Sequence, residues 1–177
     1  YVTIDKAGNR RFDIQTSRGC PYECTFCYST KIRRHWRAFS AKRTLEHIRF
    51  LRDNHDIKHF RIFDDNFFVD MKRSYDIIKS FEEEFDIKYK IDGCRIADLD
   101  KMDDEMLELL EKTGCFELQV GIEAGSDRML KILKKGTNLE QIRRVTKRLK
   151  NYNIWIYYEF VCGHPYETPD DLKMTTD

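Results

Sequence analysis

The chain has 177 residues, of which 41% are apolar and 13% aromatic, enough for a buried core and unlike a disordered segment. Thirty-two Lys and Arg against 31 Asp and Glu leave a net charge of +1, which gives no general drive toward nucleic acid or anionic lipid. No apolar run reaches the roughly 18 residues of a membrane span. The opening "YVTIDKAGNRRFDIQ" has no secretory signal, so a cytoplasmic, reducing location without a disulfide framework is expected for the six cysteines.

Short β-branched or aromatic runs alternate with amphipathic stretches along the chain. "RFDIQTS" (11–17) alternates in period two and leads directly into three closely spaced cysteines. Ser40 is a helix N-cap for a stretch that places Leu45, Ile48 and Leu51 on one face. "IKHFRIFDDNF" is a second strand ending at Asp64, and Asp70 caps a helix striped by Ile77, Ile78, Phe81 and Phe85. "IKYKIDGCR" is the third strand. Asp100, with Asp103 three residues on, opens a helix with Met106, Leu107 and Leu110 inward and Gly114 as its stop.

"CFELQVGIEAG" is the fourth strand. A short helix, "SDRMLKILKKG", closes at Gly136, and Thr137 with Glu140 forms a capping box for the next. "IWIYYEFVCG" is the fifth strand, and Thr168, Pro169, Asp170 and Asp171 begin a further helix. The alternation predicts an α/β fold with right-handed crossovers and about five to six parallel strands. A closed eightfold barrel needs about 250 residues, so residues 1–177 are expected to form a single partial (β/α) barrel domain, incomplete at the C-terminus. The missing initial Met and the interrupted last helix fit an excised piece of a longer chain. In such folds the chemistry sits at the C-terminal strand ends.

The first strand delivers "RGCPYECTFCY" to that end, with Cys20, Cys24 and Cys27 separated by three and then two residues. Thiolates select zinc, copper or iron–sulfur clusters. Structural zinc sites use four ligands in two short pairs, and the second pair is missing; His35, eight residues after Cys27, lies outside the usual spacing. Ferredoxin clusters also take a fourth cysteine. Three thiols in one loop therefore favour a four-iron cluster in which one iron has no protein ligand. Gly19 lets the loop wrap tightly, and Arg18 offsets negative charge.

"CPYECTFC", with its spacing and an aromatic before the last cysteine, resembles the signature of the radical S-adenosylmethionine (radical SAM) superfamily. "FDDNF", "GIEAGSDRMLKILKKG" and "FVCGHPYET" resemble companion motifs of the branch that contains methylthiotransferases and cobalamin-binding enzymes. The resemblance spans nearly the whole chain. It implies that Cys20, Cys24 and Cys27 ligate a 4Fe–4S cluster whose fourth iron binds the amino and carboxylate groups of S-adenosylmethionine. It places Phe26 near the adenine, and Asp64, Asp65 and Asn66 in the stretch that receives the amino group. It gives Glu123 a contact to the ribose or methionine part, and Val161 to Gly163 a backbone contact to the adenine. The implied reaction is reductive cleavage of S-adenosylmethionine to a 5′-deoxyadenosyl radical, with an electron from a donor such as flavodoxin or ferredoxin and a substrate left unspecified. Cobalamin is an option for a longer parent and is not indicated here, since its Asp-x-His-x-x-Gly motif does not occur. His164 and Tyr166 stand where the family pattern has Leu and a second Gly.

Plainer readings stand beside these. The competing class is a non-catalytic iron–sulfur or zinc module, completed by Cys94 or His35. Cys94, Cys115 and Cys162 sit singly in strands and read as buried thiols, with an auxiliary cluster through Cys94 and Cys162 as the alternative. Asp64 and Asp65 also suit a solvated strand end, and Glu123 a structural buried pair. Arg95 reads as a cation within reach of the cofactor's carboxylate or as half of an exposed salt bridge. "KIRRHWRAFSAKR" reads as a solvated basic face rather than an RNA-binding run.

Overall fold

Each strand buries one apolar row and shares its backbone hydrogen bonds with a neighbour, so the strand order decides where the chemistry lies. The computed structural model describes residues 2–4, 10–32 and 35–177, so Arg33 and Arg34 of the basic run lie outside the described residues. In chain order come β1 (Val2–Ile4), β2 (Arg10–Ile14), β3 (Ser17–Arg18), α1 (Ser29–Ile32), β4 (Arg37–Ala38) and α2 (Ala41–His55). Next are β5 (His59–Ile62), a short 3₁₀ turn at Phe67–Val69, α3 (Met71–Glu84), β6 (Lys88–Arg95), α4 (Ile96–Leu99) and α5 (Asp104–Lys112). The remainder is β7 (Cys115–Glu123), α6 (Asp127–Ile132), α7 (Leu139–Leu149), β8 (Trp155–Phe160) and α8 (Pro169–Thr176).

The main sheet runs β1-β2-β5-β6-β7-β8, while β3 and β4 form a small hairpin ladder of their own. From β2 to β8 every neighbouring pair is parallel. Those five strands keep their sequential order. Right-handed crossovers in one unbroken direction put all the intervening helices on one face, as in a barrel and unlike a doubly wound sheet. That face holds the core: Phe60, Ile62, Tyr89, Ile91, Leu118 and Val120 are buried against Ile48, Ile77, Phe81, Leu107 and Leu110.

The opposite face is charged. Asp13, Arg61, Lys90 and Glu117 occupy one register row across four strands. Lys90 pairs with Glu117 at 2.7 Å, Arg61 reaches Asp92 at 2.5 Å and Asp13 at 3.4 Å, and Gln119 donates to Glu159 at 2.5 Å. Parallel sheets covered on both sides are apolar on both, so this alternation marks a polar inner face.

Ser40, Asp70 and Thr168 cap α2, α3 and α8 as their sequences predict, and Gly114 ends the helical segment at φ +89°. Other boundaries shift. β1 is an antiparallel edge strand that alternation did not reveal. Asp103, not Asp100, caps α5; Asp100 instead takes the Arg144 guanidinium at 2.7 and 3.0 Å. The box of α7 is Asn138 with Gln141, one residue beyond Thr137 and Glu140, because Gln141 returns its amide oxygen to the Asn138 N–H. Helix α6 stops at Ile132, before Gly136, and Lys134 turns left-handed at φ +52°.

Candidate functional site

The acidic pair after β5 fastens the cysteine loop. Asp64, 4% exposed, accepts hydrogen bonds from Thr16 N, Thr16 Oγ1 and Ser17 Oγ, each at 2.6 Å. The buried Arg73 guanidinium donates to Thr16 O at 3.0 Å and Phe39 O at 2.6 Å; burial lowers its pKa and the Asp64 charge opposes that. Asp65 accepts from Gly19 N and from Ser29 Oγ, both at 2.7 Å, and so grips both ends of the loop. Gly19 has φ +84°, a conformation that suits glycine. Gly93, at φ +70°, lies so close to the β5 end that a Cβ there would overlap the Asp64 carbonyl oxygen.

Between these anchors the loop turns through Cys27 N to Cys24 O at 3.2 Å and Thr30 N to Cys27 O at 3.3 Å. Cys20 and Cys24 are buried and Cys27 is half-buried. All three line one cavity of about 200 Å³, together with Phe26, Asp65, Arg95, Glu123 and Lys135. Burial pushes the Cys20 thiol up, while a backbone hydrogen bond from Tyr22 and the Arg95 cation pull it back. Among the described residues no three His, Cys, Asp or Glu side chains converge as they would on one metal ion.

Arg95 ends β6 and is neither an exposed salt bridge nor open to solvent. It is 7% exposed; Nη1 donates to Cys24 Sγ at 3.1 Å, and Nη2 donates to Lys135 O. Its guanidinium carbon sits 3.9 Å from the centroid of the Tyr22 ring. Tyr22 Oη donates to Asp98 at 2.8 Å, and burial, followed by the hydrogen bond and charge of Asp98, pushes the phenol up to about 12. Asn66 donates to the other Asp98 oxygen at 2.7 Å.

Glu123, the last residue of β7, has φ +78°, a left-handed conformation that is costly for a side-chain-bearing residue and collects at functional sites. Lys135 Nζ donates to its Oε1 at 2.7 Å, and both side chains are buried. A Cβ on Gly121 would overlap that carboxylate and crowd the ammonium at 2.8 Å. The loop leans on the same segment through Thr25 N to Leu133 O at 3.0 Å.

The structure therefore brings Cys20, Cys24, Cys27, Phe26, Asp65 and Glu123 to one cavity. Asp64, Asp65 and Asn66 all accept hydrogen bonds from the protein's own groups, Asn66 from Phe68 N at 3.0 Å, and of the three only Asp65 lines the cavity. Val161 and Gly163 are not among the cavity's lining residues. Val161 N donates to Glu123 O at 3.0 Å, and Gly163 N to Glu167 at 2.6 Å. His164 tilts against the Phe26 ring with centroids 5.9 Å apart. Cys94 lines the cavity, Cys115 is buried in β7, and Cys162 is exposed; burial raises the Cys94 and Cys115 thiols. His35 is exposed.

Sequence reading missed Lys135 and the inward turn of Arg95. The amphipathic pattern of "SDRMLKILKKG" treats Lys134 and Lys135 alike. Only the early end of α6 and the left-handed Lys134 direct one lysine into the cavity and leave the other outside.

The donor set suits an iron–sulfur cluster: soft sulfurs in one short loop, a buried cation donating to one of them, and a cavity beside them. A sequential parallel sheet with a three-thiol loop beyond the C-terminal end of its first parallel strand is the layout of a (β/α)-barrel core with a candidate metal centre.

The family model of the radical SAM superfamily matches residues 14–177, and the chain belongs to that superfamily, whose members are enzymes using a 4Fe–4S cluster and S-adenosylmethionine. It is 29% identical, over 92% of its length and 35% of the relative's, to an uncharacterised methyltransferase of Pyrococcus horikoshii. It is 31% identical, over 100% of its length and 34% of the relative's, to the cytidylyl-2-hydroxyethylphosphonate methyltransferase of Streptomyces wedmorensis. The chain thus spans about a third of these relatives. The fold matches the cobalamin-dependent S-adenosylmethionine radical enzyme OxsB, solved with aqua-cobalamin and S-adenosylmethionine bound, with a TM-score of 0.76 and 26% identity over 92% of this chain and 25% of that one. No helix among the described residues is long and apolar enough to cross a membrane.

Proposed function

We propose that this chain is the catalytic core of a radical SAM enzyme that holds a 4Fe–4S cluster on Cys20, Cys24 and Cys27 and S-adenosylmethionine across the adjoining strand ends. The observation that carries the reading is the shared cavity of the three thiols with two carboxylates, Asp65 just after β5 and Glu123 at the end of β7, two strands away. When bound, the cluster supplies the electron for reductive cleavage of S-adenosylmethionine to a 5′-deoxyadenosyl radical.

The chain's own residues then bind and orient. Asp65 is the member of the Asp64–Asn66 stretch that faces the cavity, where a carboxylate accepts from an ammonium group. Asp64 and Asn66 act by holding the loop and the Tyr22–Asp98 contact in place. Glu123, steered by Lys135, accepts from ribose hydroxyls, and the apolar edge of Phe26 covers the adenine. Val161 to Gly163 lead into His164, whose ring lies against Phe26, and offer backbone groups to the adenine. The charged inner face suits a polar substrate. Both relatives named above are called methyltransferases, which favours methyl transfer as the outcome in the full-length protein. A cytoplasmic flavodoxin or ferredoxin is the expected electron donor.

The test is product formation. With reductant and S-adenosylmethionine, the anaerobically loaded chain releases methionine and 5′-deoxyadenosine, and Cys24→Ala does not. A chain that takes up iron and binds S-adenosylmethionine but yields neither product contradicts the reading. The second reading is a closed iron–sulfur site, favoured by Cys94 lining the same cavity. Cys94→Ala separates the two, because it leaves an open three-thiolate cluster loaded and strips a closed one of its fourth ligand.

A further inference from the structure

Arg95 is a buried cation whose hydrogen bonds, among the described residues, go to a sulfur and a carbonyl: Cys24 Sγ at 3.1 Å and Lys135 O. Its Nε is buried with no partner. Arginine stays charged under all ordinary conditions. A buried charge calls for a counter-charge, since removing it from water is costly. The ring of Tyr22 at 3.9 Å contributes a quadrupole and a flat seat, not a negative charge. The seat itself is braced by the Tyr22–Asp98–Asn66 chain of hydrogen bonds, so the guanidinium is held on Cys24 by packing on one side and by the Lys135 carbonyl on the other.

We infer that the missing counter-charge is the thiolate-bound cluster, and that Arg95 is a positioning residue which sets the reduction potential of that cluster through Cys24. This rests on the radical SAM reading above. Reduction adds one negative charge to the cluster. A fixed cation and an N–H···S bond stabilise the reduced form more than the oxidised one, so they raise the potential; hydrogen bonds to sulfur and local charge are recognised levers on such centres. Arg95 also ties the Cys24 sulfur to the segment carrying Lys135, the partner of Glu123. The cation that tunes the metal, at the end of β6, therefore leans on the segment that carries the cation orienting the nucleoside-side carboxylate.

The experiment compares the wild-type chain with Arg95→Lys and Arg95→Met after anaerobic cluster loading. Iron per chain, the midpoint potential from an EPR-monitored titration and the coupling of exchangeable protons in H₂O and D₂O are measured. Arg95→Met is expected to lower the midpoint by about 59 mV or more, a tenfold change in a one-electron equilibrium. Arg95→Lys keeps the charge but not the fork, and falls between. Wild type shows a strongly coupled exchangeable proton that Arg95→Met lacks. Should Arg95→Met take up no iron, the Lys variant and the wild-type proton coupling decide the matter. Clusters of unchanged potential in the variants, or no exchangeable proton in wild type, overturn the inference while leaving the family reading intact. A wild-type chain that binds no cluster overturns both.

Discussion

Removing the Asp64 carboxylate separates a structural role from a ligand role. The group is 4% exposed and accepts three hydrogen bonds at 2.6 Å, two from Thr16 and one from Ser17, with the Arg73 cation next to the same Thr16. Asp64→Ala leaves a buried backbone N–H and two hydroxyls without an acceptor and leaves Arg73 without its nearest opposing charge. Breaking a buried charged network in this way costs about 3–5 kcal/mol, a large share of a total stability of about 5–15 kcal/mol. Asp64→Asn keeps one acceptor oxygen, and the hydroxyls rotate to accept from the amide, so its cost is about 1–2 kcal/mol. Urea unfolding of the apo chain, with circular dichroism as the readout, gives both values. An Asp64→Ala chain that keeps the wild-type midpoint yet loses S-adenosylmethionine binding would refute the reasoning and make Asp64 a direct ligand contact.

Three further outcomes follow from the same geometry. Gly93→Ala combines a left-handed backbone with overlap on the Asp64 carbonyl, so it loses about 2–5 kcal/mol in urea unfolding; a loss below about 1 kcal/mol, within the scatter of tolerated substitutions, would show the contact is soft. Lys135→Met leaves Glu123 as a buried carboxylate without its cation, and weakens S-adenosylmethionine binding in calorimetry more than it lowers iron content; equal losses would mean only the fold is affected. Burial raises the Cys94 and Cys115 thiols, so the folded apo chain keeps their protons while the unfolded chain releases them above about pH 8.5. Stability is then fully present below that pH and falls above it, by about 1.4 kcal/mol per pH unit per thiol. Cys115→Ala should lessen that alkaline slope by one thiol's share, and an unchanged slope would contradict the assignment.

The parallel order was legible because period-two runs and capped amphipathic helices alternate without interruption, and Ser40, Asp70 and Thr168 accept from their helices as their positions imply. The cysteine spacing was legible for the same reason: a loop of that length brings its own thiols together. What the sequence hid depends on contacts between distant segments. Asp64 and Asp65 look alike in "FDDNF", and only the approach of Thr16, Gly19 and Ser29 shows that both anchor the loop while Asp65 alone also lines the cavity. Arg95 and Lys135 carry charges that usually mark a solvated surface. Their burial follows from the end of β6 meeting the turn after α6, 40 residues apart in the chain. Strand β1 lay hidden because an edge strand buries little and its alternation carries less weight.

Radical chemistry on this chain requires that the three thiols hold an open cluster. Anaerobic reconstitution followed by Mössbauer spectroscopy with and without S-adenosylmethionine measures this directly. About four irons per chain are expected, with one site changing its signal when S-adenosylmethionine is added and Cys20→Ala, Cys24→Ala or Cys27→Ala each losing the cluster. One tightly held zinc, or four equivalent irons indifferent to S-adenosylmethionine, would contradict it.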